Sequence, residues 1–507
     1  MKEKPSGARK HSRSYTQSAS PVSPRYARDR WDDFLSQDKR GMLLIEGKPV
    51  DEIAKKYGTP LYIMVESEIR RRCQRFKKVF GNNVPLQFAV KCNSNLEILK
   101  IVREEGFELD CSSIGEVILA LLADFTPKQI SFTNLYKSEQ DIHFAAQLGI
   151  QSITTDSYED IESIARTAKK LKRQIRTVIR VNPMFELGTY STKGNKYGIP
   201  INYIDHALDL VQYSPYVDFR GFHFMGGYVY NPRVYKMAAR ILVKLIKKCY
   251  DRGLKPKTLS LGGGFPAAIG DEEAFPIEQM KDFNKFYAKL LEKYDLPHVQ
   301  LIFEPGKSIV LNAGIGLMRV ISKKRLGRNS RVVIADGSSY NFIPDALVQG
   351  VKYDILPANK LTRPRIHKLF VAGNTCDCWD IIVKDLGMPK LEAGDLLAAM
   401  DVGAYASVMA SNFNTIKRAS MILIAPDGTT KLIRRRERFS EMFAPELDVL
   451  KVAGPNELED YNNLYRVNVD RIVKEQAKLK GFHKKYKNGN GNGKENVAQS
   501  IKKQWEK

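Results

Sequence analysis

Short β-favouring apolar runs and longer stretches with helical spacing alternate through the middle of this chain. One strand-like run falls at 61–65, and eight more follow at 87–90, 108–111, 129–132, 152–155, 176–181, 221–224, 258–261 and 300–303. The stretches between them repeat apolar residues at intervals of three and four, as Ile69, Cys73, Phe76 and Val79 do, which predicts amphipathic helices. About eight strand–helix units in roughly 250 residues is what a closed (β/α)8 barrel requires. An open doubly wound sheet is the rival architecture for the same alternation.

After about Leu311 the pattern changes. Runs at 315–321, 331–335, 367–372, 395–400 and 420–424 are short and strand-like, and Pro, Gly, Asn and Asp separate them. Asp427-Gly428-Thr429-Thr430 between apolar runs predicts a hairpin turn. This half reads as a β-sandwich or β-barrel domain. Upstream, Met42-Leu43-Leu44-Ile45 is the first apolar run, and 51–57 predicts a short helix stopped by Gly58 and Pro60. The expected division is a disordered basic extension (1–40), a lead-in segment packing on the β domain (41–58), the barrel (59–311), the β domain (312–455) and a basic tail (456–507). In that tail 460–479 predicts a helix and 486–496, rich in Lys, Asn and Gly, a flexible segment.

Composition changes this picture little. A hydrophobic fraction of 43% is ordinary for a globular chain. The formal charge of +24 is not, and it is concentrated at the ends: residues 1–40 hold 10 Lys/Arg against 5 Asp/Glu, and 456–507 hold 12 against 7. No recognition motif accompanies the charge, so specific nucleic-acid binding is not expected. The six cysteines (Cys73, Cys92, Cys111, Cys249, Cys376 and Cys378) are scattered and do not form a disulfide framework. Cys376-Asp377-Cys378 lacks a second Cys/His pair at zinc-like spacing, so no metal is expected. No long apolar span and no signal-peptide core is present, which makes a reduced, cytoplasmic compartment the default expectation.

Four stretches are candidates for chemistry. In Phe88-Ala89-Val90-Lys91-Cys92-Asn93-Ser94-Asn95 a lysine follows a strand directly. A lysine at the mouth of a barrel, with its pKa lowered by its surroundings, can form a Schiff base with an aldehyde; it can equally be a solvated loop residue. Leu261-Gly262-Gly263-Gly264 ends a strand in three glycines, which suits close approach of a phosphate or a simple tight turn. Phe303-Glu304-Pro305-Gly306-Lys307 puts a carboxylate at a strand end, either to hold a protonated ring nitrogen or to make a surface ion pair. His223 lies among apolar neighbours, where a hydrogen-bonded core histidine is the ordinary finding.

Taken together and in this order, these stretches resemble the fold-type III pyridoxal-phosphate decarboxylases, most closely their diaminopimelate decarboxylase branch. The resemblance runs from about Leu43 to about Val452. It rests on Phe88–Asn93, on Glu108-Leu109-Asp110-Cys111-Ser112-Ser113-Ile114-Gly115-Glu116, on Asn134 and Lys137-Ser138, on Arg180-Val181-Asn182-Pro183 and on Lys196-Tyr197-Gly198-Ile199. It also rests on the glycine loop, on Glu304-Pro305-Gly306 and on Asp401-Val402-Gly403-Ala404-Tyr405 with Ser411-Asn412. It implies an alanine-racemase-like (β/α)8 barrel followed by a β domain, with pyridoxal 5'-phosphate held on Lys91. By the same resemblance His223 stacks on the cofactor ring, Gly262, Gly263 and Gly264 lie at the phosphate, Glu304 pairs with the pyridine nitrogen, Gly306 and Lys307 bind the cofactor beside it, and Tyr405 contacts the phosphate. Cys376 is the implied proton donor, delivered with Asp377 from the partner of a homodimer with shared sites. Lys307, Asp377 and Tyr405 are the implied substrate contacts.

Departures from the pattern bear on the substrate. A position that often carries a phosphate-binding serine reads Gly226. Lys307 replaces an arginine, keeping its charge but not its fork. Pro344 and Val348 stand where an arginine and a tyrosine usually meet the substrate carboxylate, and Cys376-Asp377 replaces Cys-Glu, as in the ornithine branch. The expected reaction is decarboxylation of meso-diaminopimelate to L-lysine. A decarboxylase of ornithine or of another, modified or carrier-bound amino acid is the alternative, and a catalytically silent regulatory homologue is the alternative of another class.

Overall fold

The computed structural model describes residues 34–450 apart from 270–273, 328–330 and 349. The expected basic extension up to residue 33 and everything expected beyond 450, including the boundary at 455, lie outside the described residues. Two compact units divide at 436/437. In the second, the short helices Phe439–Met442 and Ala444–Leu450 are described.

The first unit contains the expected barrel. The strand β1 (Leu61–Val65) precedes it. The eight barrel strands are β2 (Gln87–Ala89), β3 (Glu108–Cys111), β4 (Ile130–Thr133), β5 (Ser152–Thr155), β6 (Ile175–Asn182), β7 (Val217–His223), β8 (Thr258–Ser260) and β9 (Gln300–Ile302). They pair in parallel, in sequence order, from β2 to β9. Closure comes from the two edges: Leu86 bridges Phe303 in parallel, and Gln87 N–H donates to the Phe303 carbonyl at 2.9 Å. A closed ring leaves no unpaired edge, so the open-sheet alternative is excluded. The core follows from the alternation read in the sequence. Helix Glu66–Phe80, for example, buries Ile69, Cys73, Phe76, Val79 and Phe80 along one stripe, against strands whose Phe88, Leu109, Phe132 and Phe222 are at or near zero exposure.

β1 departs from expectation. It falls inside the expected barrel segment 59–311, yet it is hydrogen bonded to the β domain: antiparallel to β10 (Gly314–Arg325) and parallel to β12 (Ser420–Ile424), with β11 (Leu396–Met400) on the far side of β10. A five-residue apolar run carries no mark of its partner; pairing is decided by packing with residues distant in sequence. A second core lies here, where Leu43, Ile45 and Ile53 of the lead-in pack with Leu61, Ile63, Ile315, Leu317, Ile422 and Ile424. The expected hairpin is present: β12 pairs antiparallel with Thr430–Arg434, and Gly428 sits in the turn at φ 76°. Among the described residues no helix is long and apolar enough to cross a membrane.

Candidate active site

The functional side chains at the barrel mouth leave from the C-terminal ends of its strands. β2 passes into a tight turn over Val90–Cys92, and the Asn95 side chain accepts from the Glu97 N–H at 3.0 Å to cap the helix Leu96–Glu104. Strand end and helix start therefore hold Lys91 between them. In register, Ala89 lies opposite Asp110 of β3. That register brings Lys91 Nζ to 3.2 Å from Asp110 Oδ2. The Lys91 side chain is 37% exposed, so its amine is reachable from the mouth, while Asp110 is buried.

Two opposed effects set the charge on Lys91. Burial does push its charge down, but Asp110, with Tyr405 and Glu304, outweighs burial and raises the lysine above its ordinary value. Burial in turn raises the Asp110 carboxyl, with Lys91 opposing and Glu304 adding to the shift, and Asp110 Oδ1 is buried without a hydrogen-bond partner. Lys91 as folded is an ammonium held beside the Asp110 carboxylate.

Across the mouth, His223 ends β7 and Glu304 follows β9. The His223 Nε2–H donates to Glu304 Oε2 at 2.9 Å, and the Ser260 hydroxyl donates to Glu304 Oε1 at 2.6 Å. Burial opposes the charge on Glu304, yet His223, Ser260 and Lys91 together hold its pKa below the usual carboxylate range, so it is ionised. His223 Nδ1 is buried with no partner.

The three glycines fill a space no side chain fits. A Cβ on Gly262 would collide with the Phe224 carbonyl, one on Gly263 with the Glu304 carbonyl, and one on Gly264 with the Gly227 carbonyl. The loop is held from behind: Tyr235 OH donates to the Gly263 carbonyl at 2.7 Å and Val229 N–H to that of Gly264 at 2.8 Å. The N–H groups of Gly263 and Gly264 donate to no acceptor among the described residues. Gly306 passes directly behind Lys91, where a Cβ would come within 2.9 Å of Ala89 Cβ and 3.2 Å of Cys92 Sγ. Lys307 is buried, and its Nζ lies 5.3 Å from the centre of the Tyr228 ring. Tyr405, in the left-handed region at φ 60°, is tied to the lysine turn by its N–H to the Cys92 carbonyl at 2.9 Å, and Asn93 Nδ2 bonds the Gly403 carbonyl at 2.9 Å.

Cys376 and Asp377 are placed differently. Both sit in the turn between strands His367–Ala372 and Ile381–Met388 of the β domain, and the Cys376 thiol is exposed. Asp377 accepts from Tyr340 OH at 2.8 Å and from Trp379 N–H at 2.9 Å, bonds that hold its carboxyl below its ordinary pKa. No described hydrogen bond or ion pair joins either residue to Lys91, His223, Glu304 or Tyr405. Pro344 is buried ahead of the short helix Asp345–Val348, while Val348 is 63% exposed.

The sequence alone assigns no role to Asp110 or Ser260. Asp110 carried one available signal, an acid in the middle of a buried barrel strand. Ser260 carried none, since a serine before glycines is common in turns.

Residues 66–311 match the pyridoxal-binding domain of the pyridoxal-dependent decarboxylases. The diaminopimelate decarboxylase of Staphylococcus aureus (strain COL) is 30% identical over 416 residues, covering 79% of this chain and 97% of the relative. The chain belongs to the pyridoxal-dependent decarboxylases. Solved structures agree. The diaminopimelate decarboxylase of M. jannaschii in co-complex with L-lysine superposes with a TM-score of 0.75 at 26% identity, over 84% of this chain and 99% of that one. That of Helicobacter pylori, complexed with L-lysine, gives 0.71 at 27% identity over 79% and 99%. The protein is a carboxy-lyase that works with pyridoxal phosphate. Its site fits that cofactor: an amine at a strand end, an ionised buried carboxylate opposite, and two uncommitted N–H groups in a loop stripped of side chains.

Proposed function

We propose that this decarboxylase acts on meso-diaminopimelate and releases L-lysine and CO2. Ionised Glu304, held by Ser260 and His223 across the mouth from the Lys91–Asp110 pair, is the observation that carries the reading. When bound, the cofactor supplies the electron sink for the pair left behind by CO2. Lys91 would be its covalent anchor, and Asp110 holds the free Lys91 in place as an ammonium at the mouth. Glu304 keeps a proton on the ring nitrogen. His223 would lie against the ring and, through Nε2, keeps Glu304 oriented. Gly262, Gly263, Gly264 and Gly306 let backbone N–H groups meet the phosphate without a side chain between, and Tyr405 approaches it from the β domain.

The working unit in this proposal is a cytoplasmic homodimer with two shared sites. Cys376 of one subunit returns a proton to the substrate carbon in the other, and Asp377 meets the substrate. The exposure of the Cys376 thiol, and its lack of any bond to the mouth of its own barrel, support delivery across an interface. Lys307, buried with its Nζ 5.3 Å from the centre of the Tyr228 ring, is a cation for a substrate carboxylate or the phosphate.

A second reading, another amino acid with a distal amine or a different head, is favoured by Pro344 and Val348. Neither can pair a distal carboxylate, and an unpaired buried carboxylate costs several kcal/mol. Purified enzyme assayed for CO2 release from meso-diaminopimelate, ornithine and lysine separates the two. Turnover of diaminopimelate well above the others is the expected result, and preference for ornithine would replace the first reading by the second.

A further inference from the structure

The end of the barrel opposite Lys91 carries a cluster of cations that the reaction does not use. Lys128 precedes β4, Arg173 and Arg176 lie at the start of β6, and Arg220 lies in β7. β4, β5, β6 and β7 are neighbours in the sheet, so these four side chains converge on one end of the barrel. The local structure that presents Arg220 is costly. The register of β7 on β6 jumps from Phe219↔Thr177 to Gly221↔Val178, leaving Arg220 as the extra residue of a β-bulge. Gly221 permits it at φ 145°, where a Cβ would collide with the Thr258 carbonyl. The Arg220 carbonyl accepts from Lys257 N–H at 2.7 Å and from Thr258 Oγ1 at 3.1 Å, which fixes the bulge and brings a fifth cation, Lys257, alongside.

Few of these charges are answered within the chain. Arg220 pairs with Asp218 at 3.1 Å. Arg176 donates to the Gly149 carbonyl at 2.9 Å and Arg173 to that of Gln147 at 3.0 Å, both neutral acceptors. Lys128 and Lys257 make no ion pair among the described residues. The group repels itself: burial first, then Arg176, Arg173 and Arg220, pushes the Lys128 pKa down, and burial, Arg220 and Arg173 push that of Arg176 down against the single opposing charge of Asp218. Lys128 and Arg173 are exposed, and Arg176 and Arg220 half-buried, so the guanidinium groups are partly ordered yet open to a ligand. Guanidinium forks match phosphate oxygens two at a time. Neighbouring strands are about 4.8 Å apart, so a cluster spread over three strand steps, about 14 Å, is wider than one phosphate ion.

We propose that this face of the barrel binds a compact run of linked phosphates, a di- or triphosphate group, at Lys128, Arg173, Arg176 and Arg220. The run belongs either to an inorganic polyphosphate or to a nucleotide, and the site reads the phosphates.

The test uses full-length holoenzyme with the cofactor fixed by borohydride, so that the glycine loop cannot take up the probe. Inorganic tripolyphosphate and adenosine triphosphate are titrated calorimetrically into wild type, into Lys128→Gln/Arg173→Gln and into a charge-matched control, Lys368→Gln/Lys384→Gln, at exposed β-domain positions. Wild type and control should bind both probes within about twofold of one another, while the barrel variant loses at least about tenfold and its salt slope falls by about 2. Lys128→Glu, at an exposed side chain, is the second variant and should also lose at least about tenfold. Thermal midpoints should not fall in either barrel variant, since each relieves like-charge repulsion. Equal losses in barrel variant and control would reduce the effect to the overall charge and overturn the proposal. So would binding of the nucleotide without tripolyphosphate, or no binding to wild type at physiological salt.

Discussion

Lys91, His223 and Glu304 stand at the strand ends of a closed barrel, and each is bonded to a side chain from another strand end. Cys376 and Val348 stand on the β domain with exposed side chains, and Asp377 is bonded only to its own surroundings. The barrel half of the site is thus organised before anything binds. Its carboxylates are buried at a cost that only paired charges offset, and their geometry cannot drift without losing those pairs. The β-domain half carries chemistry on a surface, where water satisfies the groups and the fold asks nothing of them. A residue of the first kind is stabilised by its own chain; one of the second kind acquires a role only when another surface covers it.

The sharpest way to break this contrast is to remove one residue from each half. Lys91→Ala should abolish both activity and borohydride-trapped cofactor, and in wild type the trapped label should map to Lys91. Cys376→Ala should keep the label and lose turnover. If the halves of a site come from two subunits, mixing the two inactive variants regenerates one intact site per heterodimer, about a quarter of wild-type activity at equal amounts. Failure to recover, with subunit exchange shown by mass spectrometry, would place both halves in one chain.

Within the barrel half, Glu304→Gln removes a charge and keeps the shape. A loss of about 10²–10³ in kcat is expected, the usual scale for one preorganised electrostatic group. A smaller effect is expected for Asp110→Asn, read by pH. Asp110 raises the Lys91 pKa while burial lowers it. Without Asp110 burial prevails, so the amine loses its proton at lower pH. The midpoint for covalent cofactor attachment should move down by at least about one unit. An unmoved midpoint would mean that the 3.2 Å contact does not govern the lysine.

The two halves also differed in how far they could be read from the chain. The barrel strands were legible because buried parallel strands are short apolar runs with abrupt polar ends, and Lys91, Glu304 and the three glycines stand at those ends. Asp110 and Ser260 were not, because their partners are set by register between strands: Ala89 opposite Asp110 is a fact of pairing, absent from either segment alone. For the same reason the boundary at residue 59 puts β1 in the barrel segment, when its partners are β10 and β12. The direction of the Lys91 shift depends on the same pairing of Ala89 with Asp110, since burial alone lowers a lysine and the neighbouring carboxylate reverses it. On the β domain, motif resemblance named Cys376 and Asp377, and nothing within the chain's own packing speaks to their roles.

Val348 offers the mildest test. Its side chain is 63% exposed at the end of a short helix whose start, at Pro344 and Asp345, is buried. Replacing Val348 by Tyr should therefore leave stability within about 0.5 kcal/mol, as at other exposed sites. If the β-domain half takes its role from a covering subunit, the same change falls inside a site in the dimer, and its hydroxyl is available to a distal carboxylate. KM for meso-diaminopimelate should then fall while kcat and the thermal midpoint hold, because the gain is binding shared by substrate and transition state. A change in stability without a change in KM would show that Val348 belongs to the packing of its own chain. That result would move this position out of the site, and with it the main argument for a substrate other than diaminopimelate would rest on Pro344 and Asp377 alone.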